Sequence, residues 1–249
     1  SLKLSIFIAM NDGLSKIKGL FHSQIEKHSS LAKSTHKERK QKLKRLLDNF
    51  MGMEQEAIEA LALDMKKSPT ESIVSEILGV KTEADFAIKN VKKWMKTKRV
   101  PSPSTILFTS GWVRPEPKGS VLILSPWNYP ILLCLNPLIA AIAAGNTAII
   151  KPSEFTPKSG AFVKKLIEKT FKEDEVAVVL GDQRAATELL SHPFNHVMFT
   201  GSPSTGKLVM SAAAKHLSGV TLELGGKSPV IVDESASVVE AAWKLAFYK

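Results

Sequence analysis

Residues 119–150 carry no charged side chain. A run of that length could cross a membrane as one helix. Its interior argues otherwise. Pro126, Asn128, Pro130, Asn136, Pro137, Gly145 and Asn146 divide it into strand, turn, helix, turn and strand. Strands and a helix without charge are covered on both faces, which is how a parallel βαβ crossover reads. No membrane span is expected. The stretch demands an α/β fold with helices on both sides of a sheet.

The alternation continues to the end of the chain. "VLILS", "TAIIK", "VAVVLG", "HVMFTG", "VTLEL" and "PVIVD" read as strands. Between them, "YPILLCLNPLIAAIAAG", "TPKSGAFVKKLIEKT", "QRAATELLSH" and "SPSTGKLVMSAAAK" read as helices, and "ASVVEAAWKLAFYK" as a last one. Thr156 is placed to cap the second of these, with Pro157 at its first position. Gly145 closes the first. The expected architecture is a Rossmann-like, mostly parallel open sheet with flanking helices over residues 106–249.

Residues 1–105 read as a helical region packed on that sheet. Leu43, Leu46, Leu47 and Phe50 share one helix face. Ser68-Pro69-Thr70-Glu71 has the pattern of a capping box. It opens a helix whose apolar stripe is Ile73, Ile77, Val80, Ala84, Ile88, Val91 and Met95. "RVPSPS" at 99–104 ends it, and residues 105–120 read as an exposed hairpin or edge arm. The apolar run near the N-terminus lacks a basic flank and a cleavage site, so no signal peptide is expected.

Net charge is +10 over 249 residues. The excess lies in two runs, Lys33–Arg45 and Lys89–Arg99, with Trp94 the one aromatic ring of Phe, Tyr or Trp type among them. A single ring makes no series of stacking platforms. These runs read as solvated helix faces, and no nucleic-acid partner is expected. Cys134 is the single cysteine, which rules out an internal disulfide and suits a cytoplasmic location. Its neighbours Leu132, Leu133, Leu135 and Pro137 make it an inert, structural thiol.

Four short segments could carry chemistry. "FTGSPSTGK" at 199–207 follows a strand and opens a helix, where backbone N–H groups and the helix dipole attract an anion. Its glycine and lysine spacing is that of a nucleotide-triphosphate loop, but Leu208 stands where a magnesium-binding hydroxyl is needed. Gly206 has a second reading, that of close helix–strand packing. In "SPWNYP", Asn128 offers an amide donor for an oxyanion, or caps the next helix. In "IIKPSE", Lys151 and Glu154 could hold ribose hydroxyls or form an ion pair. In "TLELGGKSP", Glu223 sits among Val220, Leu222 and Leu224. Burial there would raise its pKa toward a useful base, whereas an edge strand would leave it in water.

In this order and spacing, "SPWNYP", "AGNTAIIKPSEFTP", "HVMFTGSPSTGK" and "VTLELGGKSPVIV" resemble the aldehyde dehydrogenase superfamily, with "PWNYP" closest to its class 3 branch. The resemblance implies oxidation of an aldehyde to a carboxylic acid with NAD or NADP. It makes Asn128 the oxyanion donor and Glu223 the base that activates water. Lys151 and Glu154 would meet the adenosine ribose. Gly201, Ser202, Gly206 and Leu224 would line the rest of the cofactor site, and no residue is assigned to a metal. The family's nucleophilic cysteine follows the glutamate by about thirty-odd residues in a Gly-Gln-x-Cys turn. Lys249 comes first, so the chain is expected to lack the thiol, the catalytic domain and the oligomerisation strands. A homodimer is expected for a full-length parent. Two other readings stay open: a truncated, non-catalytic nucleotide-binding module, and a P-loop NTPase.

Overall fold

The computed structural model describes residues 2–106 and 108–248, with the backbone alone for residues 2–15 and 247–248. Leu107 of the expected arm and Lys249 of the expected last helix lie outside the described residues, as do the side chains of the N-terminal apolar run.

Five parallel strands form the central sheet: β3 (Ser120–Leu124), β4 (Thr147–Lys151), β5 (Val176–Val178), β6 (His196–Gly201) and β7 (Gly219–Leu224). Their order is β5-β4-β3-β6-β7. The chain lays down β3, β4 and β5 toward one side, then returns to place β6 against β3. The topological switch therefore lies between β3 and β6, and open sheets of this kind take ligands outside the carboxyl ends of the strands at that point.

Alternating side chains serve two separate cores. Val121, Ile123, Ala148 and Ile150 point into a core shared with α6 (Leu132–Ala144) and α7 (Pro157–Thr170). The same core takes in α2 (His36–Met51), α3 (Glu54–Met65) and α5 (Leu78–Trp94), through Leu43, Leu46, Phe50, Leu61, Val80 and Val91. Leu122, Leu124, Ile149, Val197 and Phe199 face the other way. There they meet Ile17, Leu20 and Phe21 of α1 (Leu2–Ala32), Leu189 of α8 (Gln183–Leu190), and Val209 and Ala213 of α9 (Pro203–Ala214). Burial on both faces explains why β3 and β4 are charge-free runs rather than alternating ones.

Three expectations change, and the expected hairpin starts earlier in the chain. The stripe from Ile73 onward is interrupted because Ile73–Ile77 forms a π turn between α4 (Pro69–Ser72) and α5. The extra residue per turn swings Ile73 outward and Glu76 fully inward. Thr156 stands at the start of α7 but makes no cap bond. The Asp64 carboxylate does so from α3, accepting from the amides of Lys158 (3.2 Å) and Ser159 (2.7 Å). "PVIVD" is not a strand. Val230, Ile231 and Val232 are 54%, 91% and 47% exposed, and a strand needs both a ladder partner and a covered face. Finally, the exposed arm pairs back on the chain just before it: β1 (Lys98–Val100) runs antiparallel to β2 (Gly111–Val113). The last helix, α10, spans Val238–Tyr248.

Candidate active site

The sequence-identified residues gather on one edge of the sheet. Leu124 ends β3 in register with Lys151 at the end of β4 and with Phe199 of β6. Thr200 and Gly201 pair with Glu223 and Leu224. Asn128 thus follows β3, Lys151 and Glu154 close β4, Gly201 and Ser202 close β6, and Glu223 and Leu224 close β7. All stand at carboxyl ends, on both sides of the switch point. Trp127, Tyr129 and Phe155 are exposed on the loops of the same edge.

The loop carrying Asn128 is fixed at both ends. Ser125 donates its amide to the Lys151 carbonyl (3.1 Å) and its hydroxyl to the Leu133 carbonyl (2.9 Å). Leu133 lies four residues before Pro137, which has no N–H to offer it. At the other end, α6 begins at Ile131-Leu132 with no capping side chain of its own. Glu76 supplies the cap from the π turn. Its Oε2 accepts from the amides of Ile131 (2.9 Å) and Leu132 (3.1 Å). Its Oε1 pairs with Lys67 Nζ at 2.6 Å, and both side chains are buried. Lys67 also donates to the Asn128 carbonyl (3.1 Å) and lies over the Tyr129 ring, 4.3 Å from its centre. The capping alternative for Asn128 therefore has no vacancy to fill. Its exposed side chain makes no hydrogen bond among the described residues. Sequence reasoning missed Glu76 and Lys67. The available signal was a helix start, "YPILL", without Ser, Thr, Asp or Asn to cap it.

Ser202 caps α9, its hydroxyl accepting from the Thr205 amide at 3.2 Å. The Ser204 and Thr205 hydroxyls lie 2.9 and 3.0 Å from it. An exposed hydroxyl cluster at the positive end of a helix fits a phosphate. Gly206 is buried one turn on. A Cβ there would come within 2.9 Å of Leu224 Cδ2, so this glycine allows α9 to lie close against β7. Leu224 is the residue it packs on. Lys207 and Leu208 are exposed.

Lys151 is buried, and its ammonium reaches the Glu154 carboxylate (3.0 Å) and the Pro152 carbonyl (3.1 Å). Glu154 is on the surface, so the pair is half sheltered rather than a loose surface contact. For Glu223 the second of its two readings holds. It is exposed on β7, an edge strand among the described residues, and its apolar neighbours do not bury it. Alternation along the strand turns it away from Leu222 toward water. Cys134 is fully buried, and desolvation pushes its thiol up to about 12, with Ser125 and Lys151 opposing only in part. A thiol held neutral is no nucleophile. A cavity of about 800 Å³ between α1 and α8 includes none of the residues assigned above.

Comparison with known proteins shows the family and the fold. The aldehyde dehydrogenase family model matches residues 16–249. Human aldehyde dehydrogenase family 3 member B1 is 44% identical over 191 residues, which are 77% of this chain and 41% of that protein. The substrate-bound structure of Staphylococcus aureus AldH superposes with a TM-score of 0.87 at 41% identity, covering 93% of this chain and 50% of that one. A betaine aldehyde dehydrogenase of the same organism, solved in complex with NAD+, gives 0.82 at 27% identity, covering 91% and 45%. The chain spans about half the length of the curated relatives it matches. The chain belongs to the aldehyde dehydrogenase family.

Proposed function

We propose that this chain is the cofactor-binding part of an enzyme that oxidises an aldehyde to a carboxylic acid with NAD or NADP. The observation that carries the reading is the side chain of Asn128. Its backbone is fixed, the neighbouring helix is capped by another residue, and its amide has no partner among the described residues at the carboxyl edge of β3. An amide donor held in place without a ground-state partner is suited to stabilise charge that develops only during reaction.

The donor set at this edge fits a dinucleotide. Ser202 and the first turn of α9 would take the pyrophosphate, with Gly201 at the strand end and Gly206 setting the approach of the helix to β7 and Leu224. Lys151 and Glu154 would take the adenosine ribose, an ammonium and a carboxylate offering a donor and an acceptor to its hydroxyls. When bound, the nicotinamide group supplies a two-electron hydride acceptor. Asn128 donates to the oxygen of the tetrahedral adduct. Glu223, exposed and wetted, takes a proton from water for the hydrolytic step. The attacking thiol is not supplied by Cys134, whose burial keeps it protonated. NAD is the better fit of the two cofactors, because Glu154 repels a 2′-phosphate.

Asn128→Ala in the full-length enzyme tests the reading. The expected result is a fall in kcat of about 10²-fold with cofactor affinity unchanged. An unchanged kcat overturns it.

A further inference from the structure

We propose that Lys67 and Glu76 are positioning residues for the aldehyde oxidation described above. Together they hold the loop from Pro126 to Ile131 so that the Asn128 amide stands ready at the sheet edge. This inference rests on the assignment of Asn128 as oxyanion donor.

Three observations point to it. First, the pair is buried, with side chains 7% and 0% exposed and 2.6 Å apart. Buried ion pairs are often no better for stability than apolar packing of the same volume, so stability alone does not account for this one. Second, the hydrogen bonds that each partner makes beyond the pair go to one loop. Glu76 holds the two amides at its end, at Ile131 and Leu132. Lys67 holds the carbonyl of Asn128 itself and covers the ring of Tyr129. The main-chain bonds of this loop lie at its end, where the Tyr129 and Ile131 carbonyls accept from the amides of Leu133, Cys134 and Leu135, and the side-chain bonds hold the Asn128 carbonyl and the first-turn amides that those leave over. Third, Glu76 reaches the loop because Ile73–Ile77 is a π turn. The wider turn rotates the carboxylate inward, and such bulges recur at functional sites.

The pair touches only the backbone of Asn128, so it acts through that residue. Its effect must vanish when the Asn128 amide is absent. The test is a double-mutant cycle in the full-length enzyme: wild type, Asn128→Ala, Glu76→Gln and the double variant, with kcat and cofactor KM measured for each. Glu76→Gln removes the charge and one acceptor. The expected result is a loss of kcat of about 10- to 10²-fold, with cofactor KM unchanged. On the Asn128→Ala background the same change is expected to cost about twofold or less. Amide exchange at Ile131 and Leu132 is expected to speed up while that of β3 and β4 does not. If Glu76→Gln does not fold, Lys67→Met/Glu76→Gln replaces it in the same cycle, since that pair leaves no buried charge unpaired.

Two results overturn the positioning role: an unchanged kcat in Glu76→Gln where Asn128→Ala lowers it, or an equal loss on both backgrounds. A neutral Asn128→Ala overturns the oxyanion assignment and the positioning role that rests on it. Faster exchange at Ile131 and Leu132 would then show the pair to be a helix cap alone.

Discussion

Asp64 and Glu76 do the same work for two different helices. Each reaches from the N-terminal helical region to cap a helix of the sheet region, α7 and α6. Neither is adjacent in sequence to the amides it satisfies, which is why local patterns pointed to Thr156 and Asn128 instead. Asp64→Ala is expected to lower stability by about 1 kcal/mol, read in denaturant unfolding, because two first-turn amides lose their acceptor. No change would mean that Thr156 takes over. Glu154→Gln is expected to narrow the proposed preference for NAD over NADP two- to fivefold, about 0.4–1 kcal/mol, by removing an exposed negative charge at the position proposed for the ribose. Competitive titration of the two cofactors measures it. An unaltered ratio would place the 2′ position elsewhere.

The elements differ in how far they could be read from sequence. β3, β4 and α6 were legible because burial on both faces leaves no room for charge. α9 was legible because Ser202-Pro203 starts a helix by local chemistry. The π turn was not, since its register shift depends on where Glu76 finds partners. Residues 229–233 read as a strand from their β-branched side chains, but propensity without a neighbouring strand does not form one. Glu223 kept two readings for a related reason: apolar neighbours along an edge strand do not imply a buried carboxylate. At the opposite, amino-terminal edge, His196 links Lys118 (3.1 Å) to Thr221 (3.0 Å) across β6 and β7. Desolvation first, and the Lys118 charge second, hold its pKa below the ordinary 6.5. The unfolded chain therefore binds this proton more readily. The neutral ring's contribution is fully present above about 6.5 and is lost as pH falls from there through the lower folded value. His196→Gln is expected to flatten the fall in stability below pH 6.5, followed by thermal unfolding across pH. An identical slope would assign the effect to other groups, His192 first, which burial shifts the same way.

At the scale of the molecule, the sheet and both of its covering layers are complete enough to form two dense cores, while the C-terminal segment is not covered. Val230, Ile231, Val232 and Trp243 leave apolar surface in contact with water. Exposed apolar side chains of this kind promote association. Ile231→Lys is expected to reduce concentration-dependent light scattering without altering the unfolding midpoint. Unchanged scattering would locate the sticky surface elsewhere. Motif order was enough to read the fold class and the family. What it could not read was the support beneath the motifs, because Lys67, Glu76 and Asp64 act through contacts made only after the chain has folded.

The central claim is that the carboxyl edge of this sheet binds a nicotinamide dinucleotide at the start of α9. Its most direct test is a calorimetric titration of the protein and of Ser202→Asp with NAD. Aspartate caps a helix as well as serine does, so α9 and the unfolding midpoint should be preserved. The added negative charge should repel the pyrophosphate and weaken binding at least about tenfold, or ~1.4 kcal/mol. Saturable binding by the parent protein and that loss in the variant are the predicted result. No saturable binding, or equal affinity in both proteins, would contradict the account.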